Sequence, residues 1–363
     1  MRPLVCILDA SIGVTGALVA ARREAELIAD RARVFLVVPR AFKAPASELA
    51  AFERVVHLPI RPLRRSIGSL IAYIPALFRS GRLLRDLLRE SGCDRLQVND
   101  FTLAEGWMAR RLGYRGRIVT WVRIDPKRFG LAGRLWLKAA QSASDAMVAV
   151  SKFIRDRSPK LNIELVYDPA LHAARVEPTG QRLLFVGNYT RGKGQDVAIR
   201  AFHALANDFP NATLALHGAT FGLPKNDAYR RELVEIASGG PGCKRIELDS
   251  YADDLPALYA GTLAAVNCSE SESFSLTCQD ASAHGLPVIA TQCGGPEEII
   301  DHGTSGLLVP VGDVAAVEGA MRRLLSDPEE ARRMGEAGYH LVRRRFGTNA
   351  YVAKVTQLLE LIG

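Results

Sequence analysis

The sequence predicts an α/β protein made of two Rossmann-like domains, each a doubly wound parallel sheet, facing a cleft. Three observations predict it. Short aliphatic runs alternate with helical stretches almost from end to end, as βαβ units require. Those runs are continuously apolar, as expected where helices cover both faces of a sheet. The alternation breaks once, in the turn-rich stretch 167–180, and then restarts. At 363 residues the chain has room for two ordinary domains.

The elements follow in order. Val5-Cys6-Ile7-Leu8 reads as the first strand; Asp9 cuts the apolar run short, which favours a buried strand over a secretory leader. An amphipathic helix is expected over 17–29 and a strand over 34–38, stopped by Pro39. Further strands are expected at 55–58, 96–98, 117–122 and 146–150. The second series opens at 183–186 and continues at 213–217, 244–248, 263–267 and 288–290. The reading places one domain at 1–168 and a second at 169–345. In such sheets ligands bind at the carboxyl ends of the strands, so the chemistry belongs there.

Composition limits the function. Hydrophobic residues make up 48% and charged residues 24%, the balance of a soluble globular protein. No apolar run is long enough to span a bilayer. The six cysteines are scattered with no CxxC pair, which points to reduced thiols and a cytoplasmic protein. The net charge of +8 is uneven: residues 1–170 carry 29 Lys+Arg against 16 Asp+Glu, a balance of +13, and residues 171–363 carry 18 against 23, a balance of −5. A basic half suggests an anionic partner: a phosphorylated acceptor, a membrane surface or nucleic acid. No nucleic-acid reading motif is present, so no nucleic acid is expected. The segment 61–92, which opens on Arg61 and ends at Gly92, alternates leucines and isoleucines with seven arginines. It reads as one or two basic amphipathic helices interrupted near Pro75 and Gly81. Either they pack on the sheet with a solvated arginine face, or they form a peripheral contact with anionic lipid; the near-exclusive use of Arg favours the second.

The richest stretch is 263–309, LAAVNCSESESFSLTCQDASAHGLPVIATQCGGPEEIIDHGTSGLLV. A strand ends at Asn267, a polar loop leads into a helix near 274–283, and Gly294-Gly295 makes a second loop-to-helix junction. A loop opening a helix offers unpaired N–H groups at a positive dipole end, suited to a diphosphate. Glu272 precedes the helix and Asp280 lies eight positions on; a carboxylate there can accept hydrogen bonds from sugar hydroxyls. Taken singly, Glu272 is better read as the neighbour of a helix N-cap and Asp280 as a solvent-facing helix residue.

Together these residues resemble the Glu-x7-Glu signature of the retaining glycosyltransferases of family 4, which have the GT-B fold. The match runs through Glu272-Ser273-Phe274-Ser275-Leu276, Asp280-Ala281, Gly285-Leu286-Pro287-Val288-Ile289-Ala290 and Gly294-Gly295-Pro296-Glu297-Glu298. Upstream, Phe185-Val186-Gly187-Asn188-Tyr189-Thr190-Arg191-Gly192-Lys193 is similar to the loop that opens the family's donor domain. Lys193 stands at the family's phosphate-binding lysine. The usual Arg is Asn188 here, and Arg191 is expected to supply that charge. More loosely, Gly13 and Gly16 sit where the family has a Gly-rich turn facing the donor. Asn99, Asp100 and Arg123 fall at strand ends on the acceptor side, where the family commonly has a His.

The resemblance implies a metal-independent, retaining transfer of a hexosyl unit from a nucleotide-diphosphate sugar. Its acceptor would be a saccharide or lipid-linked saccharide of the bacterial envelope. It implies no cofactor beyond that co-substrate. Lys193 and Arg191 would meet the diphosphate with Ser273, Phe274, Ser275 and Leu276 at the helix start. Glu272 would hold the sugar and Asp280 the ribose, with Gly187, Asn188 and Tyr251 nearby and Tyr251 at the base edge. It also implies a C-terminal helix, 346–363, crossing back to the first domain. Asp253-Asp254 reads as a helix cap and not as a metal site. Two alternatives stand beside this: a non-catalytic nucleotide-sugar-binding protein, prompted by Asn188, Asp280 and the absent His, and a GT-B nucleotide-sugar epimerase.

Overall fold

A computed structural model describes residues 2–61, 67–171, 173–252 and 254–361. The chain divides into two compact units, Met1–Pro169 with Thr348–Gly363, and Ala170–Gly347.

The first unit begins with β1 (Leu4–Leu8), α1 (Gly16–Leu27), β2 (Arg33–Pro39) and β3 (Val55–Leu58). Next come α2 (Ile67–Glu90), β4 (Arg95–Val98), α3 (Ala104–Arg111), β5 (Arg117–Val122) and α4 (Gly130–Ala143). β6 (Ala146–Ala149), α5 (Lys152–Asp156) and β7 (Glu164–Leu165) complete its sheet, in the order β3-β2-β1-β4-β5-β6-β7. Every pairing is parallel; Val5, for example, lies opposite Val34 on one side and Arg95 on the other. The central strands are buried on both faces, which accounts for their unbroken apolar sequence. The order reverses between β1 and β4. Right-handed crossovers therefore put α2, α3 and α4 on one face, and α3 packs against both α2 and α4.

The segment expected as one or two interrupted helices is a single helix over Ile67–Glu90, with residues 62–66 outside the described residues. Pro75 lies on the exposed face, where its missing N–H costs least. Gly81 is not a break: a Cβ there would come within 2.5 Å of Met108, so glycine admits α3. Tyr73, Leu77, Ser80, Leu84 and Leu88 make the buried stripe.

The second unit contains β8 (Arg182–Val186), α6 (Gln195–Leu205), β9 (Thr213–His217), α7 (Pro224–Ser238), β10 (Ile246–Asp249) and α8 (Leu255–Tyr259). It continues with β11 (Ala264–Asn267), α9 (Leu276–Ala283), β12 (Val288–Thr291), α10 (Pro296–Ile299) and β13 (Gly306–Val309). α11 (Val314–Ser326) and α12 (Pro328–Arg345) end the unit. The parallel sheet has the order β10-β9-β8-β11-β12-β13 around a core of Leu183, Phe185, Phe202, Leu216, Val266, Ile289 and Met321. The strand expected over 244–248 starts later. Cys243–Arg245 is a 3-10 turn, because the Arg245 guanidinium binds the carbonyls of Ala206, Phe209 and Ala212 and holds the chain in a bend.

The last helix, α13 (Thr348–Leu358), belongs to the first unit. It packs on α1, where the Tyr351 hydroxyl donates to Glu24 at 2.6 Å.

Candidate active site

In the second sheet the strand order reverses between β8 and β11, so the loops that follow these two strands flank the crevice where such sheets bind ligands. Those loops carry Lys193 and Glu272. The Lys193 Nζ lies 2.7 Å from the Glu272 Oε1. Ser269 Oγ donates to the same oxygen at 2.8 Å. Glu272 is mostly buried, 13% exposed, while Lys193 keeps 35% of its side chain open. Burial works against the charged form of Glu272. The Lys193 ammonium, with hydrogen bonds from Lys193, Ser269 and Asn267, outweighs it and holds the carboxyl below the usual carboxylate range. Burial likewise opposes the charged lysine, and Glu272 overcomes it and raises the Lys193 pKa. The pair is therefore ionised across neutral pH.

Close backbone approach brings the loops together. A Cβ on Gly194, whose φ is +79°, would lie 2.0 Å from the Cys268 carbonyl oxygen. Gly295 is equally constrained, 2.2 Å from the Phe274 carbonyl oxygen. Glu272 bridges to the Gly294 turn: its N–H donates to Cys293 O at 3.2 Å, and its carbonyl accepts from Gly295 N at 2.8 Å. Glu297 accepts from Gly294 N at 2.9 Å. The glycine motif and the Glu272 loop are thus one structure.

The helix expected near 274–283 starts two residues later, because Ser275 takes a left-handed conformation, φ +85°, immediately before Leu276. Phe274 is buried edge-on against Phe346, with centroids 5.3 Å apart, and Ser273 is half-buried between it and Glu272. Asn267 Nδ2 donates to Ser275 Oγ and Thr277 Oγ1, both at 3.2 Å, which pins the irregular turn. The first turn of α9 leaves N–H groups without intrahelical acceptors, aimed where its positive dipole end favours an anion. Asp280 is one turn into α9 and is buried, not solvent-facing; its carbonyl accepts from the His284 ring at 2.8 Å.

Arg191 requires a correction. It does not join the Lys193–Glu272 pair. Gly192, at φ +87°, turns the chain so that Arg191 reaches α7, pairs with Glu232 and lies over the Tyr229 ring at 5.1 Å. Asn188 staples two loops instead of supplying charge: its side-chain oxygen accepts from Ala219 N at 3.2 Å, and Gln195 Nε2 binds the carbonyls of Gly187 and Asn188. Tyr251 is half-buried just beyond β10, whose end is fixed by the buried Tyr189 hydroxyl, 2.7 Å from Asp249 O. Asp254 caps α8 through Ala257 N; Asp253 lies outside the described residues.

Sequence reasoning missed Asn267, Ser269 and Thr291. Ser269 N donates to Asn267 Oδ1 at 3.1 Å, and the Thr291 hydroxyl donates to Ser269 O at 2.5 Å. The signal was available: Asn267 is the one polar residue in an otherwise apolar strand, and such a residue at a carboxyl end is placed for a purpose.

The first unit has the equivalent reversal between β1 and β4. Gly13 sits buried in the loop after β1, and Gly16 opens α1 behind the Thr15 cap. The acceptor-side reading of Asn99, Asp100 and Arg123 is revised. All three are buried, and their side chains bind the protein. Asn99 Nδ2 donates to Asp9 at 2.5 Å and its oxygen accepts from Arg123 Nε at 2.9 Å. Asp100 accepts from the backbone N–H groups of Arg123, Ile124 and Thr102. Arg123 Nη1 reaches both oxygens of Asp168, and its guanidinium lies 4.6 Å over the Trp121 ring. These residues build the floor of the strand ends.

The comparisons first give the class. The chain superposes over 99% of its length on all of Anabaena HepE solved in complex with UDP-glucose, with a TM-score of 0.81 and 17% identity. At that identity the likeness is one of fold, the two-domain GT-B architecture of glycosyltransferases. The sequence agrees: residues 171–341, most of the second unit, match the glycosyl transferases group 1 family. A Mycolicibacterium smegmatis protein named GDP-mannose-dependent alpha-(1-6)-phosphatidylinositol monomannoside mannosyltransferase is 28% identical over 301 residues, 77% of this chain and 73% of that protein. A Thermobifida fusca D-inositol 3-phosphate glycosyltransferase is 31% identical over 169 residues, 44% of this chain and 37% of that protein.

Proposed function

We propose that this chain is a retaining glycosyltransferase that moves a hexosyl unit from a nucleotide-diphosphate sugar to a saccharide or lipid-linked saccharide acceptor in bacterial envelope synthesis. The observation that carries it is the 2.7 Å Lys193–Glu272 pair at the reversal point of the second sheet, beside the start of α9.

The chemistry follows from charge. Breaking the bond between the anomeric carbon and the diphosphate leaves negative charge on phosphate oxygen and positive character on carbon. Lys193 and the first turn of α9 meet the diphosphate. Before the donor arrives Glu272 neutralises Lys193; afterwards the lysine turns to phosphate and Glu272 accepts hydroxyl hydrogen bonds from the sugar. Asp280 is assigned to the ribose. Retention follows from attack on the face the diphosphate leaves. The acceptor oxygen bonds to the anomeric carbon as the phosphate oxygen departs and takes the acceptor's proton, so no protein nucleophile or metal ion is required.

A lipid-linked acceptor is supported by the phosphatidylinositol monomannoside in the name of the Mycolicibacterium relative. It is supported too by α2, whose outer face presents Ile74 and Phe78 with Arg79 and Arg82 to solvent. We assign that face to peripheral contact with anionic membrane. No helix among the described residues is long and apolar enough to cross a membrane.

The test is twofold. Thermal shift against UDP-, GDP- and ADP-sugars identifies the donor by the melting point it raises. Lys193→Ala and Glu272→Ala, each folded by circular dichroism, are then expected to lose transfer at least 100-fold, with the wild type unaffected by EDTA. Wild-type rates in either variant, or EDTA sensitivity, refute the assignment of charge to Lys193.

A further inference from the structure

The second unit's chemistry leaves α4 unexplained, and that helix carries the most exposed large apolar side chains in the described residues. Leu131 is 71% exposed and Leu135 60%, one turn apart on the same face. They are not there to pack. The inner stripe of α4 is already complete in Gly133, Leu137, Ala140 and Ala143, all buried. Around the two leucines stand Lys127, Arg128, Arg134 and Lys138, all exposed, and 126–144 contains no acidic residue.

The base of the helix is rigid. Phe129 packs edge-on against Phe101 and Trp136, at 6.2 and 6.0 Å between centroids. A Cβ on Gly133 would lie 2.3 Å from the Pro126 carbonyl oxygen, so α4 sits directly on the Lys127–Arg128 turn.

α4 and α2 lie in one layer on either side of α3. Among the described residues seven large hydrophobic side chains are exposed, and five are on these two helices: Ile74, Phe78 and Leu83 on α2, Leu131 and Leu135 on α4. Scattered apolar residues need no explanation, but a concentration on two neighbouring helices, its α4 pair flanked by cations alone, does. We infer that α4, from its Lys127–Arg128 turn through Lys138, is a second anionic-bilayer contact, and that the chain docks on two helices rather than on α2 alone. This rests on reading α2 as lipid-facing. The chemistry fits one occupant. Leucines enter the headgroup boundary while the flanking cations pair with lipid phosphates. A second copy would set like charge against like charge.

The test is co-sedimentation with vesicles of phosphatidylcholine and phosphatidylglycerol in equal amounts, compared with phosphatidylcholine alone. Three proteins are used: wild type, Leu131→Ser/Leu135→Ser and Ile74→Ser/Phe78→Ser. Wild type is expected to bind anionic vesicles, more weakly as salt rises. Each double variant is expected to bind at least tenfold less, with wild-type melting curves and unchanged transfer to a soluble acceptor. Full binding by Leu131→Ser/Leu135→Ser, with binding lost in the α2 variant, overturns the α4 inference and leaves the α2 reading intact. Failure of the wild type to bind, or equal binding to both vesicles, overturns both. A wild-type dimer in light scattering that the α4 variant dissolves overturns it in favour of a self-interface.

Discussion

Glu24 gives the sharpest quantitative test of the first unit. It is fully buried on α1, and burial pushes its carboxyl from the ordinary 4.5 up to about 7. Hydrogen bonds from Tyr351 and Gln97 and the Arg123 charge pull the other way but do not cancel it, and Asp168 adds to the rise. Between pH 4.5 and 7 the folded protein therefore holds a proton that the unfolded chain has released, and stability must fall as pH rises through this window. Raising the carboxyl from 4.5 to about 7 is worth about 3 kcal/mol. Glu24→Gln is neutral at every pH and keeps an oxygen for the Tyr351 hydroxyl. It should match wild type near pH 4.5 and exceed it by up to about 3 kcal/mol at pH 8. The assay is urea unfolding followed by tryptophan fluorescence. All three tryptophans, Trp107, Trp121 and Trp136, lie in the first unit, so the signal reports that unit alone. A stability difference that does not change from pH 4.5 to pH 8, or a variant weaker than wild type at pH 8, would show that Glu24 does not carry this proton.

Three further outcomes concern the donor loops. Ser275→Gly should be more stable than Ser275→Ala by about 1 kcal/mol in chemical denaturation, since both remove the hydroxyl but only glycine relieves the left-handed backbone. Equal stabilities would mean the turn carries no strain. Gly194→Ala meets the Cys268 carbonyl at φ +79° and should cost on the order of 2–3 kcal/mol and depress donor binding in a thermal-shift titration; a neutral effect would contradict the close loop packing. Ser269→Ala removes one hydrogen bond to Glu272, worth about 1 kcal/mol, so kcat/KM should fall roughly fivefold with the fold unchanged; an unchanged kcat/KM would show that Ser269 does not position Glu272.

What was legible in the sequence, and what was not, divides along physical lines. The unbroken apolar runs of the strands announce a sheet covered on both faces, because that burial has a one-dimensional signature. Lys193 and Glu272 were readable because each follows its strand within a few residues, and the reversal of strand order sets those strand ends side by side. Arg191 was misread for the opposite reason. Two residues from Lys193, it is turned away by Gly192, and its partner Glu232 is 41 positions along the chain. Arg123 was misread in the same way: Asp168, 45 positions on, uses it within the fold. A charge at a strand end is available to a ligand only if no distant residue has claimed it, and that claim leaves no local trace. Glu272 differs, since its partner Lys193 is the cation that the proposed mechanism assigns to the donor's diphosphate. On that assignment, donor binding breaks the ion pair that holds Glu272 at rest. A nucleotide diphosphate without its sugar would free the carboxylate but give it nothing to bind. The intact donor should accordingly bind more tightly than its nucleotide, and Glu272→Ala should erase that difference in a calorimetric titration while Ser269→Ala only narrows it.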